Sequence, residues 1–178
     1  MMEEYYDRDP VVNRGITVDG ARVQLLAFRL LTIFLASENL HKLCDGEYNS
    51  GPDILANQFE KDEIEHLMLL IATLWRSHDT CAGRGVTFHE RWNPVVGTLQ
   101  EPIDAEGKDL DLREACSKII HVEEIKYDLA GGDPDNPYDW KRFLLPTHVS
   151  LYGKRQTGKQ WKATVDVKKF CSEVCYIE

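Results

Sequence analysis

The sequence lacks several features that mark proteins of restricted classes. It contains no internal repeat and no low-complexity tract, and its 178 residues include only 12 glycines and 7 prolines. Collagen-like and proline-rich chains are therefore excluded. An excess of positive charge is also missing, because 21 basic side chains stand against 30 acidic ones and give a formal net charge of −9. An acidic surface repels phosphate backbones, so general nucleic-acid binding is not expected.

Signals for export and for membrane insertion are not evident. The first residues are acidic, whereas a secretory signal begins with basic residues and continues into an apolar run. The longest apolar stretch, 25–36, contains Arg29 and is shorter than the roughly 20 residues that a membrane-spanning helix needs. We therefore expect a cytoplasmic protein with no membrane partner.

The five cysteines predict neither disulfides nor a metal site. Their number is odd and no export signal accompanies them, so reduced thiols are expected. Cys171 and Cys175 have a spacing that occurs in zinc sites, but no second ligand pair of matching spacing completes the set. Cys116 shares a predicted helix with His121 at a spacing that keeps the thiol from the imidazole, which indicates an inert buried thiol. No cofactor is expected.

The composition that remains is typical of a globular protein. Hydrophobic residues make up 43% of the chain and charged residues 29%, close to globular averages. About 70% of the surface of a chain of this length is buried on folding, which predicts a single domain over 1–178. Within it we expect a helical segment at 19–78, an ordered long connection at 79–108, and a helix with strands at 109–178.

Two long helices are predicted in the first half of the chain. Asp19 can cap a helix from about 21 to 43, whose middle is apolar on nearly every side. The second helix, from about 52 to 78, is amphipathic, and Glu60 is expected to lie away from its buried stripe. The short link between the helices predicts an antiparallel hairpin.

The second half combines a helix with strands. Asp111 has the spacing of a capping residue for a third helix that ends at about His121. Alternation of apolar and polar residues predicts three strands, at 125–129, 149–152 and 161–167. Gly158 is typical of a hairpin turn, and a short final helix covers about 167–175. The expected class is α+β, with an N-terminal antiparallel helical hairpin and a third helix packed on a small three-stranded antiparallel sheet.

The first helix provides the main indication of function. A domain of 178 residues can hardly wrap a helix of about 35 Å on all sides, so part of this helix should meet another protein or a second copy. We expect an interface of Leu26, Leu30 and Phe34 from the helix, with Trp92 and Trp140 as aromatic anchors from loops. This pattern favours a soluble, acidic, protein-binding or regulatory protein without its own catalytic centre. Bacterial and phage accessory proteins include many of this kind.

An alternative function comes from the third predicted helix. The run Ser117-Lys118-Ile119-Ile120-His121 resembles the Asn-Lys-aliphatic-aliphatic-His run of HEPN domains, a helical family with many metal-independent ribonucleases. The resemblance implies that His121 acts as general acid and base and that Arg113 stabilises charge on the phosphate, at a dimer interface. Three features depart from the family: Ser117 replaces the Asn, Cys116 stands where an Arg often precedes that Asn, and seven residues instead of four to six separate Arg113 from His121.

A metal enzyme is the last hypothesis. Glu38 and His41 are three residues apart, as are Glu63 and His66, which is the spacing of ligands in di-iron bundles. Those bundles need four long helices, however, and only two are predicted here. No metal is therefore expected.

Overall fold

The computed structural model describes residues 19–44, 50–81, 93–132 and 142–176, and these residues form an α+β fold. In chain order the described elements are α1 (Gly20–Leu43), α2 (Gly51–Cys81), β1 (Val95–Gln100), β2 (Lys108–Asp111), α3 (Leu112–Ile120), β3 (Glu124–Ala130), β4 (Phe143–Lys154), β5 (Gln160–Asp166) and α4 (Val167–Glu173). A single 3-10 turn, Val174–Tyr176, follows α4. The expected fold class is confirmed at this level.

The sheet has five strands in the described residues, in the order β2-β1-β5-β4-β3, and every neighbouring pair is antiparallel. The predicted strands correspond to β3, β4 and β5. The prediction of only three strands is wrong, because β1 lies in the segment that was expected to be a connection and β2 begins at the last residue of that segment. Gly97 explains the error: a Cβ there would collide with the backbone carbonyl of Thr164. This glycine allows two strands to approach closely and does not mark a loop.

One face of the sheet forms the core. Along β4 and β5 the inward residues are fully buried while their neighbours are partly exposed, as the alternation predicted. The buried set consists of Val149, Leu151, Ala163 and Val165. Helices α1, α3 and α4 contact the strands, and α2 packs on α1 and α3. The helices therefore cover a single layer of sheet.

Short polar signals set the ends of several elements as expected. The Asp19 carboxylate accepts a hydrogen bond from the Ala21 amide, 3.0 Å away, at the start of α1. Asp111 accepts one from Glu114 N at 2.7 Å at the start of α3. Each bond satisfies an amide that the helix itself leaves unpaired. Gly158 has a φ of 81° in the turn between β4 and β5, a conformation that glycine adopts without strain.

Helix α1 is fixed to the rest of the fold along one side. Ser37 Oγ accepts a buried hydrogen bond of 2.9 Å from the Leu144 amide of β4. The rings of Phe34 and Tyr127 lie 6.5 Å apart. Among the described residues α1 is the one helix long and apolar enough to cross a membrane, by length and composition alone, and only 33% of its most apolar window is buried. The helix thus combines a core side with an exposed apolar side.

Candidate functional site

The predicted interface residues of α1 lie in the core. Leu26, Leu30 and Phe34 expose 7%, 1% and 1% of their surfaces and belong to the main hydrophobic cluster. They recur on the side of the helix that faces the sheet and α2, so within this fold they stabilise the chain itself. Trp92 and Trp140 lie outside the described residues. The available apolar surface of α1 therefore consists of other side chains.

Exposed apolar side chains lie on both long helices. Leu25, Phe28 and Leu35 of α1 and Leu55 and Phe59 of α2 each expose about half of their surface or more. The α1 residues follow helical spacing on the side away from the core. We call these five residues the apolar outer face. Single exposed apolar residues are ordinary, whereas larger groups of them occur in proteins chiefly where a partner protein, a ligand or a membrane binds.

A groove runs between α1 and α2 beside the apolar outer face. Its volume is about 270 Å³, and Leu55 and Phe59 belong to its lining as well as to the outer face. The remaining lining residues are Thr32, Ile33, Ala36, Ser37, Leu40, Glu60 and Glu63. The groove is thus apolar, and the charged residues in its lining are both acidic.

Glu60 is a buried acid at the wall of this groove. Its side chain is 5% exposed, and Oε2 lies 3.6 Å from Nε2 of the equally buried His41 on α1. The expectation that Glu60 points away from the buried stripe is therefore wrong. The sequence does contain the signal: Glu60 precedes the buried residues Ile64 and Leu67 by four and seven positions, which places all three on one helix side.

The residues proposed for RNA cleavage occupy opposite ends of α3. Arg113 is the second residue of the helix and is partly exposed, whereas His121 is its C-terminal capping residue and is exposed. Eight positions of helix separate their Cα atoms by about 12 Å. The two side chains therefore lie at opposite ends of α3, and the helix does not bring them together.

The described residues hold no group of three or more histidine, cysteine or acidic side chains arranged for a metal ion. Glu38 forms an ion pair of 2.7 Å with Lys42, and His41 faces Glu60. Glu63 lies at the groove, and His66 is exposed on α2. The four residues of the metal hypothesis therefore have different neighbours.

The thiols have surroundings that favour the protonated form. Burial, with a contribution from Cys175, raises the pKa of Cys171 to about 12. Burial also raises the pKa of Cys175, whose Sγ donates a hydrogen bond of 3.0 Å to the Cys171 carbonyl. A raised pKa disfavours the thiolate that metal binding and nucleophilic attack need.

A second charged cluster joins three parts of the fold. Glu101 follows β1 and accepts hydrogen bonds from the Arg155 guanidinium, at 2.8 Å from its terminal nitrogen, and from Lys118 Nζ, at 3.4 Å. Burial alone would raise the pKa of Glu101, but Arg155 and Lys118 outweigh it, so the pKa is lowered. Lys118 also lies 4.5 Å from the ring centre of Trp161. Both basic groups contact Glu101, so the cluster joins the residue after β1 to α3 and to the turn after β4.

The chain has no match among protein-family models, curated proteins or solved structures.

Proposed function

We propose that this protein is a protein-binding domain whose apolar outer face docks a helix of a partner protein. The observation that carries the proposal is the exposure of five large apolar side chains on the two paired helices α1 and α2. Exposed apolar area of this kind is removed from water when a partner covers it. The proposal assigns the protein a binding or regulatory role and no reaction of its own.

The size of the surface favours one helix over a second whole subunit. With about 200 Å² for a fully exposed large apolar residue, the five residues present roughly 550 Å². A stable interface between two globular subunits buries about 800 Å² on each side. A single amphipathic helix in the groove between α1 and α2 matches the smaller area, and helix-in-groove docking is a common recognition mode.

Charge also favours a different protein over a second copy. Each copy has a formal net charge of −9, and the groove between α1 and α2 has only acidic charged residues in its lining. Like charges raise the free energy of association between identical surfaces. A partner with positive charge near its apolar side avoids this repulsion and gains attraction in its place.

Affinity capture with matched variants tests the proposal. Purified wild-type protein and Phe59→Ala are immobilised and exposed to native lysate, and Leu129→Ala on β3 is the control for loss of an exposed apolar side chain. We expect one stoichiometric protein to bind wild type and the Leu129 variant and to be reduced at least about tenfold by Phe59→Ala. Hydrogen exchange of the complex should then show protection on α1 and α2.

Two results would count against the proposal. Equal capture by the wild type and Phe59→Ala would remove the apolar outer face from binding. Sedimentation that shows a dimer of the pure protein, dissociated by Phe59→Ala, would mean that the occupant is a second copy of the chain. Self-association through α1 would then replace the partner helix.

A further inference from the structure

Glu60 has an acceptor that the fold leaves unused. Its Oε2 faces His41, but its Oε1 exposes less than 1 Å² and has no hydrogen-bond partner among the described residues. A buried carboxylate oxygen without a donor is costly, because the hydration lost on burial is not replaced. The fold therefore keeps, in the wall of the groove, an acid that a bound donor would stabilise.

The chemistry of the groove restricts which donor fits. Ile33, Leu40, Leu55 and Phe59 supply an apolar lining, and Glu63 adds a second negative charge. A neutral donor would satisfy the Glu60 acceptor without using either charge. A cation gains both a charge-assisted hydrogen bond and attraction to the two acids, within apolar walls where electrostatic interactions are stronger than in water.

We propose that the groove accepts a cationic side chain, arginine in preference to lysine, from an amphipathic partner helix, and that Glu60 binds its charged group. This inference rests on the proposed function, since the apolar outer face would hold the helix that brings the cation. Arginine is preferred because guanidinium is less strongly hydrated than ammonium and is the usual choice for buried ion pairs. Its methylene stem can lie along Leu55 and Phe59.

The approach to Glu60 requires a change in the groove wall. Oε1 exposes less than 1 Å² in the free protein, so a donor reaches it only after the carboxylate turns and a neighbouring side chain moves. The last side-chain torsion of glutamate, which turns the carboxylate, has a broad energy profile. Oε2 lies 3.6 Å from His41 Nε2, so a turn of the carboxylate also changes this contact.

Binding of two designed helical peptides tests the inference. Both carry leucines at helical spacing on one side, and they differ only in an arginine or a leucine at the centre of that side. Affinities are measured by fluorescence anisotropy for wild type, Glu60→Gln and Phe59→Ala. Glu106→Gln is the matched control, because Glu106 is an exposed acid between β1 and β2.

We expect wild type and Glu106→Gln to prefer the arginine peptide by about 10- to 100-fold. Glu60→Gln should remove that preference, and added salt should weaken only the arginine peptide. Phe59→Ala should weaken both peptides. Thermal unfolding shows whether Glu60→Gln is folded, and the comparison of the two peptides on wild type needs no variant.

The outcomes separate this inference from the proposed function. If wild type binds both peptides equally and Phe59→Ala weakens both, the outer face docks helices and the role of Glu60 is overturned. An arginine preference that persists in folded Glu60→Gln also overturns it, because a residue other than Glu60 then binds the arginine. Binding of neither peptide by wild type overturns the cationic helix as occupant, while capture of a partner that depends on Phe59 would still support the proposed function.

Discussion

Replacing Phe34 and Phe28 separately by alanine tests the division of α1 into a core side and an exposed side that we propose binds a partner. The two positions are the same residue type on the same helix, but Phe34 is 1% exposed and Phe28 is 67% exposed. Phe34→Ala removes a ring that packs in the core beside Tyr127 and should lower the free energy of unfolding by about 3–5 kcal/mol. Phe28→Ala removes little buried surface, so its effect should stay within about 0.5 kcal/mol.

Urea unfolding followed by far-ultraviolet circular dichroism measures both changes. If the free energy of unfolding falls by about 2 kcal/mol per molar urea, Phe34→Ala should lower the urea concentration at the unfolding midpoint by about 1.5–2.5 M. Phe28→Ala should barely change that midpoint. Partner capture should respond in the opposite order, with a strong loss for Phe28→Ala. A destabilisation above about 2 kcal/mol for Phe28→Ala would refute the reasoning, because that ring would then be covered within its own chain.

Two further predictions concern Glu101, the buried acid that follows β1 in the sequence, and His121 at the end of α3. The pKa of Glu101 is lowered from its ordinary value of 4.5. Its ionised form therefore stabilises the fold fully above pH 4.5, and this contribution is lost as the pH falls from 4.5 through the lowered pKa. Urea unfolding of Glu101→Gln should therefore show a loss of about 1–3 kcal/mol at neutral pH and a flatter decline towards about pH 3; parallel pH curves would contradict this. For His121→Ala we expect cleavage of a labelled RNA indistinguishable from wild type. Cleavage by wild type that the variant lacks would instead support the ribonuclease alternative.

The sequence predicted the elements whose signals are local. Asp19 and Asp111 are of a residue type that caps helices, and each precedes an apolar helical pattern in the sequence. In the structure they cap the starts of α1 and α3. Gly158 marked the turn between β4 and β5. Such signals depend on a few neighbouring residues, so they can be recognised without knowledge of the rest of the fold.

Elements that depend on distant partners were missed. Strand β1 is six residues long and has a glycine inside it. It forms a strand because it pairs with β5 at Thr164 and Val165, which lie more than sixty positions away in the sequence. The side of α1 that enters the core was equally hidden, because Leu25 and Leu26 are both apolar and only the fold separates them. A helix that is apolar all round has no periodic contrast from which a buried side can be chosen.

The proposed binding surface lies on a helix that is fixed to the core along its other side. A mobile apolar segment would lose conformational entropy when it docks, and that loss would weaken binding. Here Phe34 and Ser37 hold α1 against the sheet, and the buried Ser37 hydroxyl accepts a hydrogen bond from the Leu144 amide. The outward residues Phe28 and Leu35 are therefore presented by a helix that is already ordered. The ordering is supplied by the core, so changes to the outer face should alter binding while leaving the fold intact.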